Sequence, residues 1–165
     1  MNNYVYRLYE EPRLVPYSID ILGHRQYLSS IAKNQEIVEL GVRCGFSSVC
    51  FLTTCSKLTS YDIILTDEAK KLQQETPEWT LIEGNSLTVE IPECDILFID
   101  TLHSYEQLFA ELNQHHAKAR KLIIMHDTNM PSLKTAVADF LAAHSKWSVA
   151  RESTESNGLT TLSCT

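Results

Sequence analysis

The sequence predicts a doubly wound α/β sheet of about seven strands, mostly parallel, with helices on both faces and an antiparallel C-terminal hairpin. Short β-rich segments alternate along the chain with segments whose apolar residues have helical spacing. The segment DILFID at residues 95–100 has a continuously apolar centre, which is typical of a parallel strand buried on both faces. The last two predicted strands are joined only by the polar stretch 152–158, which suits a hairpin.

Each element is predicted from its own local signal. Strands are expected at residues 36–40, 58–63, 80–83, 95–100, 121–126, 147–150 and 159–164. The clearest helix follows Ser104, because Ser104 and Gln107 form an S-x-x-Q capping box ahead of an apolar face. Pro131 is favoured in a first helical turn and predicts a second helix. Two further helices are expected at residues 18–32 and 47–56.

Length and composition indicate one globular domain over residues 1–165. Hydrophobic residues make up 44% of the chain and charged residues 21%, as in ordinary folded soluble proteins. The apolar runs are far shorter than the roughly 20 residues that a membrane-spanning helix needs. A net charge of −7 provides no overall basic field for nucleic acid. The five cysteines include no C-x-x-C pair, so reduced thiols and a cytoplasmic location are expected.

A glycine-rich turn follows the first strand. Residues 39–47 read ELGVRCGFS, and two of the five glycines in the chain, Gly41 and Gly45, lie here. Gly41 allows a tight turn that a ligand can approach closely, and Gly45 allows the next helix to begin near the sheet. The turn lacks the G-x-G-x-x-G of dinucleotide enzymes, which disfavours a nicotinamide oxidoreductase.

Polar side chains also follow the second and third strands. Ligands of doubly wound sheets bind beyond the carboxyl ends of the strands. Asp62 ends the second strand about 20 residues after the first glycine, where an acid accepts hydrogen bonds from ribose hydroxyls in nucleoside-binding domains. Asn85 and Ser86 follow the third strand and can hydrogen-bond the edge of a base.

The fourth and fifth strands end in aspartates with histidines close by. Asp100 is followed by His103, and His126 directly precedes Asp127. Asp100 and Asp127 lie at the same edge of the sheet and could share one hard divalent cation such as Mg²⁺. The alternative is that each aspartate caps the turn or helix that follows it.

Taken together, these motifs resemble those of the class I S-adenosylmethionine-dependent methyltransferases, which have a Rossmann-like sheet. The segment E-x-G-x-x-x-G-x-S resembles their first motif. FIDTLHSYE at residues 98–106 and HDT at 126–128 are similar to the FIDGDHSYE and HDT motifs of a group related to sugar and small-molecule O-methyltransferases. Thr101 and Leu102 replace the usual Gly-Asp of that group, so one carboxylate of its pattern is absent.

The resemblance implies methyl transfer from S-adenosylmethionine, with residues 31–165 as the cofactor-binding core and residues 1–30 as a helical lid or dimer segment. His103 is the implied general base, acting with Asp100. In metal-dependent relatives the matching strand ends bind Mg²⁺, which implies Asp100, Asp127 and His126 as ligands. The implied cofactor-binding residues are Glu39, Gly41, Val42, Gly45, Ser47, Asp62, Ile63, Asn85, Ser86 and Asp100.

Three features stay open at the level of sequence. The acceptor is expected to be a small hydroxylated molecule, either a sugar or a catechol-like ring. A domain that binds the nucleoside but has lost the acceptor chemistry is the alternative function. The tyrosines of the N-terminal segment suit either a lid, a homodimer contact or ordinary packing.

His115 and His116 are expected on a solvated face of their helix, and neither nucleic acid nor a membrane is an expected partner.

Overall fold

A computed structural model describes residues 2–164, so the predicted domain boundaries at Met1 and Thr165 lie outside the described residues. The strands are β1 (Glu36–Leu40), β2 (Lys57–Asp62), β3 (Thr80–Glu83), β4 (Cys94–Ile99), β5 (Ala119–His126), β6 (Trp147–Ser153) and β7 (Leu159–Cys164). The helices are α1 (Asn3–Glu10), α2 (Ile19–Leu22), α3 (Arg25–Ile31), α4 (Phe46–Leu52), α5 (Asp67–Glu75), α6 (Tyr105–His115) and α7 (Pro131–Ala143). No helix among these residues is long and apolar enough to cross a membrane.

The strands form one sheet in the order β3-β2-β1-β4-β5-β7-β6. Pairing is parallel from β3 to β5, whereas β7 is antiparallel to both β5 and β6. The predicted doubly wound sheet with a C-terminal hairpin is therefore confirmed. Because β1 lies beside β4, the chain reverses its direction of winding there, and the ends of these two strands border a crevice.

The central strand β4 is buried along all six residues, as its apolar centre predicts. Ile96 and Phe98 pack with the N-terminal helices and α4, whereas Leu97 and Ile99 pack with α6 and α7. Alternate side chains of a strand point to opposite faces of a sheet, so this one strand contributes to both core layers.

Two predicted helices have different bounds in the structure. The helix expected at 18–32 is divided into α2 and α3 at Gly23, whose N–H donates to Ser156 Oγ at 3.0 Å. The helix expected at 47–56 ends at Leu52, and the hydroxyl of the next residue, Thr53, donates to the Cys50 carbonyl at 2.6 Å. The helix α1 lies within residues 1–30, which are expected to be helical, but no bounds of its own are predicted for it. The helix α5 is not among the predicted elements, although Thr66 caps it through its hydroxyl.

The capping box of α6 forms only in part. Ser104 Oγ accepts the Gln107 N–H at 3.2 Å, as predicted. The Ser104 N–H is already donated to the Leu102 carbonyl, and the Gln107 side chain instead donates to Ser86 and Glu111. A buried carboxylate attracts an amide N–H strongly, so the side chain of Gln107 turns into the protein rather than back to the cap.

Candidate functional site

A cavity of about 650 Å³ opens where the five parallel strands β1 to β5 end. This volume is within the range of small-molecule sites, which is roughly 300–1,000 Å³. The residues predicted to be functional that line it are Gly41, Val42, Asp62, Ile63, Asn85, Ser86, Asp100, His103, His126 and Asp127. The fold therefore brings residues from the ends of five strands, far apart in sequence, to one space.

Glycine is required at position 41, where the adjacent strands β1 and β4 end. Its φ of +89° is left-handed, and a Cβ added there would lie 1.9 Å from the carbonyl oxygen of Asp100. The Gly41 N–H donates to the Tyr61 carbonyl at 2.8 Å, and the Asp100 N–H donates to the Leu40 carbonyl at the same distance. Only glycine allows this close approach of two backbones at the cavity floor.

Asp62 holds the glycine turn in place. Its Oδ2 accepts the backbone N–H groups of Val42 at 2.7 Å and Arg43 at 2.8 Å. Its Oδ1 accepts a longer hydrogen bond, at 3.3 Å, from the Ile64 N–H. A carboxylate has about four acceptor positions, so Asp62 keeps acceptor capacity for hydroxyl groups of a ligand in the cavity.

Three predicted cofactor residues, Glu39, Gly45 and Ser47, lie behind the cavity surface and are not among its described lining residues. Glu39 is fully buried and accepts hydrogen bonds from the hydroxyls of Ser47 at 2.5 Å, Ser48 at 2.6 Å and Ser60 at 2.5 Å. Burial raises the pKa of Glu39 to about 7 despite these three donors. In this arrangement Glu39 fastens β1 to α4 and β2 beneath the turn.

Asp100, His103, His126 and Asp127 form one group at the cavity wall, which we call the Asp–His cluster. His103 Nε2 lies 2.9 Å from Asp127 Oδ2 and 3.5 Å from Asp100 Oδ1. His126 Nδ1 lies 2.9 Å from the same Oδ2 of Asp127 and 3.5 Å from Asp100 Oδ2. Asp127 has a φ of +56°, a conformation that aspartate tolerates better than most residues.

The charges of the Asp–His cluster stabilise one another. Contacts with Asp100 and Asp127 raise the pKa of His103 to about 10. Burial lowers the pKa of His126, but the same two aspartates outweigh it and raise that pKa to about 10. Burial works to raise the pKa of both carboxyls, and hydrogen bonds from the two histidines overcome it and lower both pKa values. The resting cluster therefore contains two imidazolium and two carboxylate groups.

Asp100, His103 and Asp127 can also approach a metal ion together. Each offers a ligand atom, and these atoms lie within 4.8 Å of one another. His126 is arranged differently, because its Nε2 faces the Ser156 carbonyl at 2.8 Å and its Nδ1 faces Asp127. Both nitrogens of His126 must donate to these acceptors, which leaves it without a lone pair for a metal.

Ser86 lies at the centre of a second polar group. Its hydroxyl donates to Glu111 Oε1 at 2.6 Å, and its carbonyl contacts His115 Nε2 at 2.7 Å. The Thr101 hydroxyl also donates to Glu111, at 2.8 Å to each carboxylate oxygen. His115 is only 2% exposed, so its expected place on a solvated face is wrong. The reason is its contact with the Ser86 carbonyl: α6 directs the His115 side chain toward the loop after β3 and not toward solvent.

A model of the methyltransferase domain family matches residues 38–128, which is more than half of the chain. The chain belongs to the methyltransferase domain family. The matched range of this methyltransferase domain runs from the second half of β1 to the turn after β5, and it contains Gly41, Asp62 and the whole Asp–His cluster. The comparison with curated proteins returned no significant match.

Solved methyltransferase structures share the fold of this domain at low sequence identity. Magnesium protoporphyrin IX methyltransferase from Synechocystis, with bound SAM, has a TM-score of 0.69 at 16% identity over 92% of this chain and 85% of that one. A provisionally named caffeoyl-CoA O-methyltransferase from Staphylococcus aureus has a TM-score of 0.68 at 19% identity, covering 99% and 93%. The 1,6-didemethyltoxoflavin-N1-methyltransferase from Burkholderia thailandensis has a TM-score of 0.72 at 12% identity, over 99% of this chain and 87% of that one.

The methyltransferase domain also has cavity residues that sequence reasoning missed. Asp20 and Asn157 line the cavity from outside the matched range. Arg43, with a φ of +51°, pairs with Asp20 at 2.9 Å and lies 3.7 Å above the ring of Tyr17. No local motif marks these residues, since their contacts join segments remote in sequence. The lid or dimer role of residues 1–30 stays a prediction.

Proposed function

We propose that this chain transfers a methyl group from S-adenosylmethionine to a hydroxyl of a small molecule, either a sugar or a catechol-like ring. One observation carries the proposal: a single cavity is lined both by the Gly41 turn with Asp62 and by the Asp–His cluster. The first pair suits a nucleoside and the second suits proton transfer. Their shared space is what a transfer between two bound molecules requires.

The residues of the cavity suit the groups of this cofactor. Asp62 offers acceptor positions for ribose hydroxyls, and Ile63 offers an apolar surface beside it. Gly41 lines the cavity, and because it has no side chain the ends of β1 and β4 pack against each other there and form a wall for the methionine part. When bound, S-adenosylmethionine supplies a methyl group on a positively charged sulfur, and it leaves as S-adenosylhomocysteine.

The Asp–His cluster favours an oxygen acceptor over an amine. A neutral amine attacks with its lone pair, whereas a hydroxyl must also lose its proton as the new C–O bond forms. Neutral His103 keeps a proton on Nε2, which faces Asp127 at 2.9 Å, and it accepts the hydroxyl proton at Nδ1, its other ring nitrogen. Asp100 and Asp127 then stabilise the resulting imidazolium, and His126 holds Asp127 in position from its buried side.

The donor set also fits a divalent cation. Asp100 and Asp127 would hold Mg²⁺, with His103 as the third ligand, and the ion would supply a lowered pKa of the acceptor hydroxyl. His126 is left out of this set because both of its nitrogens donate to other partners. The cation would have to replace the proton with which His103 now balances the two carboxylates.

Calorimetric titration with S-adenosylhomocysteine tests the cofactor, once with Mg²⁺ and once with a chelator. We expect micromolar binding in both buffers, which corresponds to a binding free energy of about −8 kcal/mol. The Asp62→Asn variant should bind at least about tenfold more weakly, since a charged acceptor is lost. Asp67→Asn, on exposed α5, is the matched control and should bind normally. Absence of binding to the unmodified protein in both buffers contradicts the proposal.

A second candidate function is nucleoside binding without methyl transfer. The observation that favours it is the pairing of His103 with both aspartates, because a protonated histidine cannot accept a proton. The two functions differ in a direct assay. Formation of S-adenosylhomocysteine in the presence of hydroxylated acceptors, dependent on His103, supports transfer. Binding without turnover at pH 7–9 over a broad acceptor panel supports the second candidate.

A further inference from the structure

The structure assigns a base-reading role to Gln107, an inference that rests on the proposed function and adds to it. Gln107 lies in the first turns of α6 and lines the cavity beside Ser86. We propose that its side-chain carbonyl oxygen recognises the exocyclic amino group of adenine, so that Gln107 determines which purine the site accepts.

The orientation of the Gln107 amide is fixed by its neighbours. Its Nε2 donates to Glu111 Oε1 at 2.7 Å and to Ser86 Oγ at 3.0 Å. The hydroxyl proton of Ser86 is itself donated to Glu111, so Ser86 Oγ can only accept from Gln107. Turning the amide over would place its carbonyl oxygen against a buried carboxylate and an oxygen lone pair. That arrangement is electrostatically unfavourable.

The remaining polar atom of Gln107 is its carbonyl oxygen. Within the described part of the chain, Oε1 accepts no hydrogen bond, and the half-buried side chain contributes to the cavity wall. An amide presents its oxygen and its nitrogen in different directions, so an inward NH₂ leaves the oxygen for the cavity. A carbonyl oxygen accepts from an amino group and repels another carbonyl, which is the difference between adenine and a 6-oxopurine.

Glu111 acts as the positioning residue for this contact. It is fully buried, and its two oxygens accept from Ser86, Thr101 and Gln107. His115, one turn further along α6, also holds the carbonyl of Ser86. Thr101 stands where the related motif has glycine, so the hydroxyl that it adds completes this set of donors.

The test compares binding of S-adenosylhomocysteine with binding of S-inosylhomocysteine, which carries a carbonyl oxygen in place of the amino group. The unmodified protein should prefer the adenine compound by about tenfold or more, as expected when a site built for one hydrogen bond meets its opposite. In Gln107→Met the preference should fall to within about threefold of unity, because the adenine compound loses its hydrogen bond and the inosine compound is no longer repelled. Gln74→Met, on the exposed face of α5, is the matched control and should keep the preference.

Glu111→Gln is the second variant, because its amide can donate to Gln107 and allow that side chain to turn over. We expect it to lose the preference while still binding both compounds, and thermal melting identifies any loss of folding. A Gln107→Met variant that weakens both compounds equally overturns the inference, and so does an unmodified protein without preference. An unmodified protein that binds neither compound instead contradicts the proposed function itself.

Discussion

Two buried carboxylates, Glu39 behind the cavity and Asp127 in its wall, have pKa values shifted in opposite directions. Glu39 receives three hydrogen bonds from neutral serine hydroxyls, and its pKa is raised to about 7. Asp127 is likewise buried, yet two imidazolium groups within 2.9 Å lower its pKa. Neutral donors do not compensate fully for lost hydration, whereas neighbouring charges do.

The comparison distinguishes a carboxylate that stabilises the fold from carboxylates that border the ligand cavity. Glu39 lies behind the glycine turn and joins β1 to α4 and β2 through hydroxyls that hold no net charge. The Asp–His cluster lines the cavity, and its imidazolium and carboxylate groups stabilise one another there. Both sites have shifted pKa values, but only the cluster lines the cavity, so only there can a ligand reach the titratable groups.

Asp127→Asn should have the largest effect, because it removes the carboxylate that both histidines share. Asparagine tolerates the left-handed φ of +56°, so the change tests the charge and not the backbone. His126 would stay buried, and Asp100 at 3.5 Å would be its one remaining carboxylate partner among the described residues. The free energy of unfolding should fall by about 3 kcal/mol, as when one partner of a buried ion pair is removed.

Denaturant unfolding measures this loss, with Asp139→Asn as the control. Asp139 is exposed and accepts only the Tyr105 hydroxyl among the described contacts, so its change should stay within about 1 kcal/mol. Equal stability of Asp127→Asn and the unmodified protein would show that the cluster is not held by this charge.

His103→Gln should abolish most methyl transfer and leave binding of S-adenosylhomocysteine intact. Removal of a general base typically costs about 10²–10⁴-fold in rate. Because the aspartates raise the pKa of His103 to about 10, its neutral fraction rises about tenfold per pH unit below that value. The rate with the unmodified enzyme should therefore increase from pH 7 to 9, and this increase should be absent in His103→Gln.

The pKa itself can be measured without any acceptor. Ring proton shifts of His103 followed by NMR should titrate well above the ordinary value of 6.5. His144→Gln is the control variant, because His144 contacts the Asn113 side chain and not the Asp–His cluster, and the titration of His103 should be unchanged in it. A titration of His103 near 6.5 would remove the basis for the alkaline rate increase.

Ser60→Ala tests the scaffold site. Ser60 Oγ donates to Glu39 and accepts the indole N–H of Trp79 at 2.9 Å, so the variant leaves a buried donor without a partner. A stability loss of about 1–3 kcal/mol is expected. Ser148→Ala, on exposed β6, should change stability by less than about 0.5 kcal/mol in the same unfolding experiment.

Glu39→Gln should give the smallest effect, visible in the dependence of stability on pH. The carboxyl has a raised pKa in the folded state, so its contribution is complete below pH 4.5 and is lost as pH rises through about 7. Between pH 5 and 7 the unmodified protein should lose about 1–2 kcal/mol relative to Glu39→Gln. Parallel stability curves for the two proteins over this range would contradict a raised pKa.

Local sequence signals were sufficient for most of the sheet and part of the site. The apolar centre of β4, the turn at Gly41 and Gly45, and the aspartates at the strand ends act within a few residues of one another. Because parallel strands end at the same edge, the order of these motifs predicted that Asp62, Asp100 and Asp127 meet. The cavity lining agrees with that expectation of proximity.

By itself, the sequence determined the fold class, the C-terminal hairpin and the residue types at the cavity. Only the tertiary structure decided that Glu39 and Ser47 lie behind the surface, that His115 is buried, and that Gln107 turns inward. These outcomes depend on which donor and acceptor meet across segments far apart in the chain. Burial and charge pairing are properties of the assembled neighbours, and no local spacing records them.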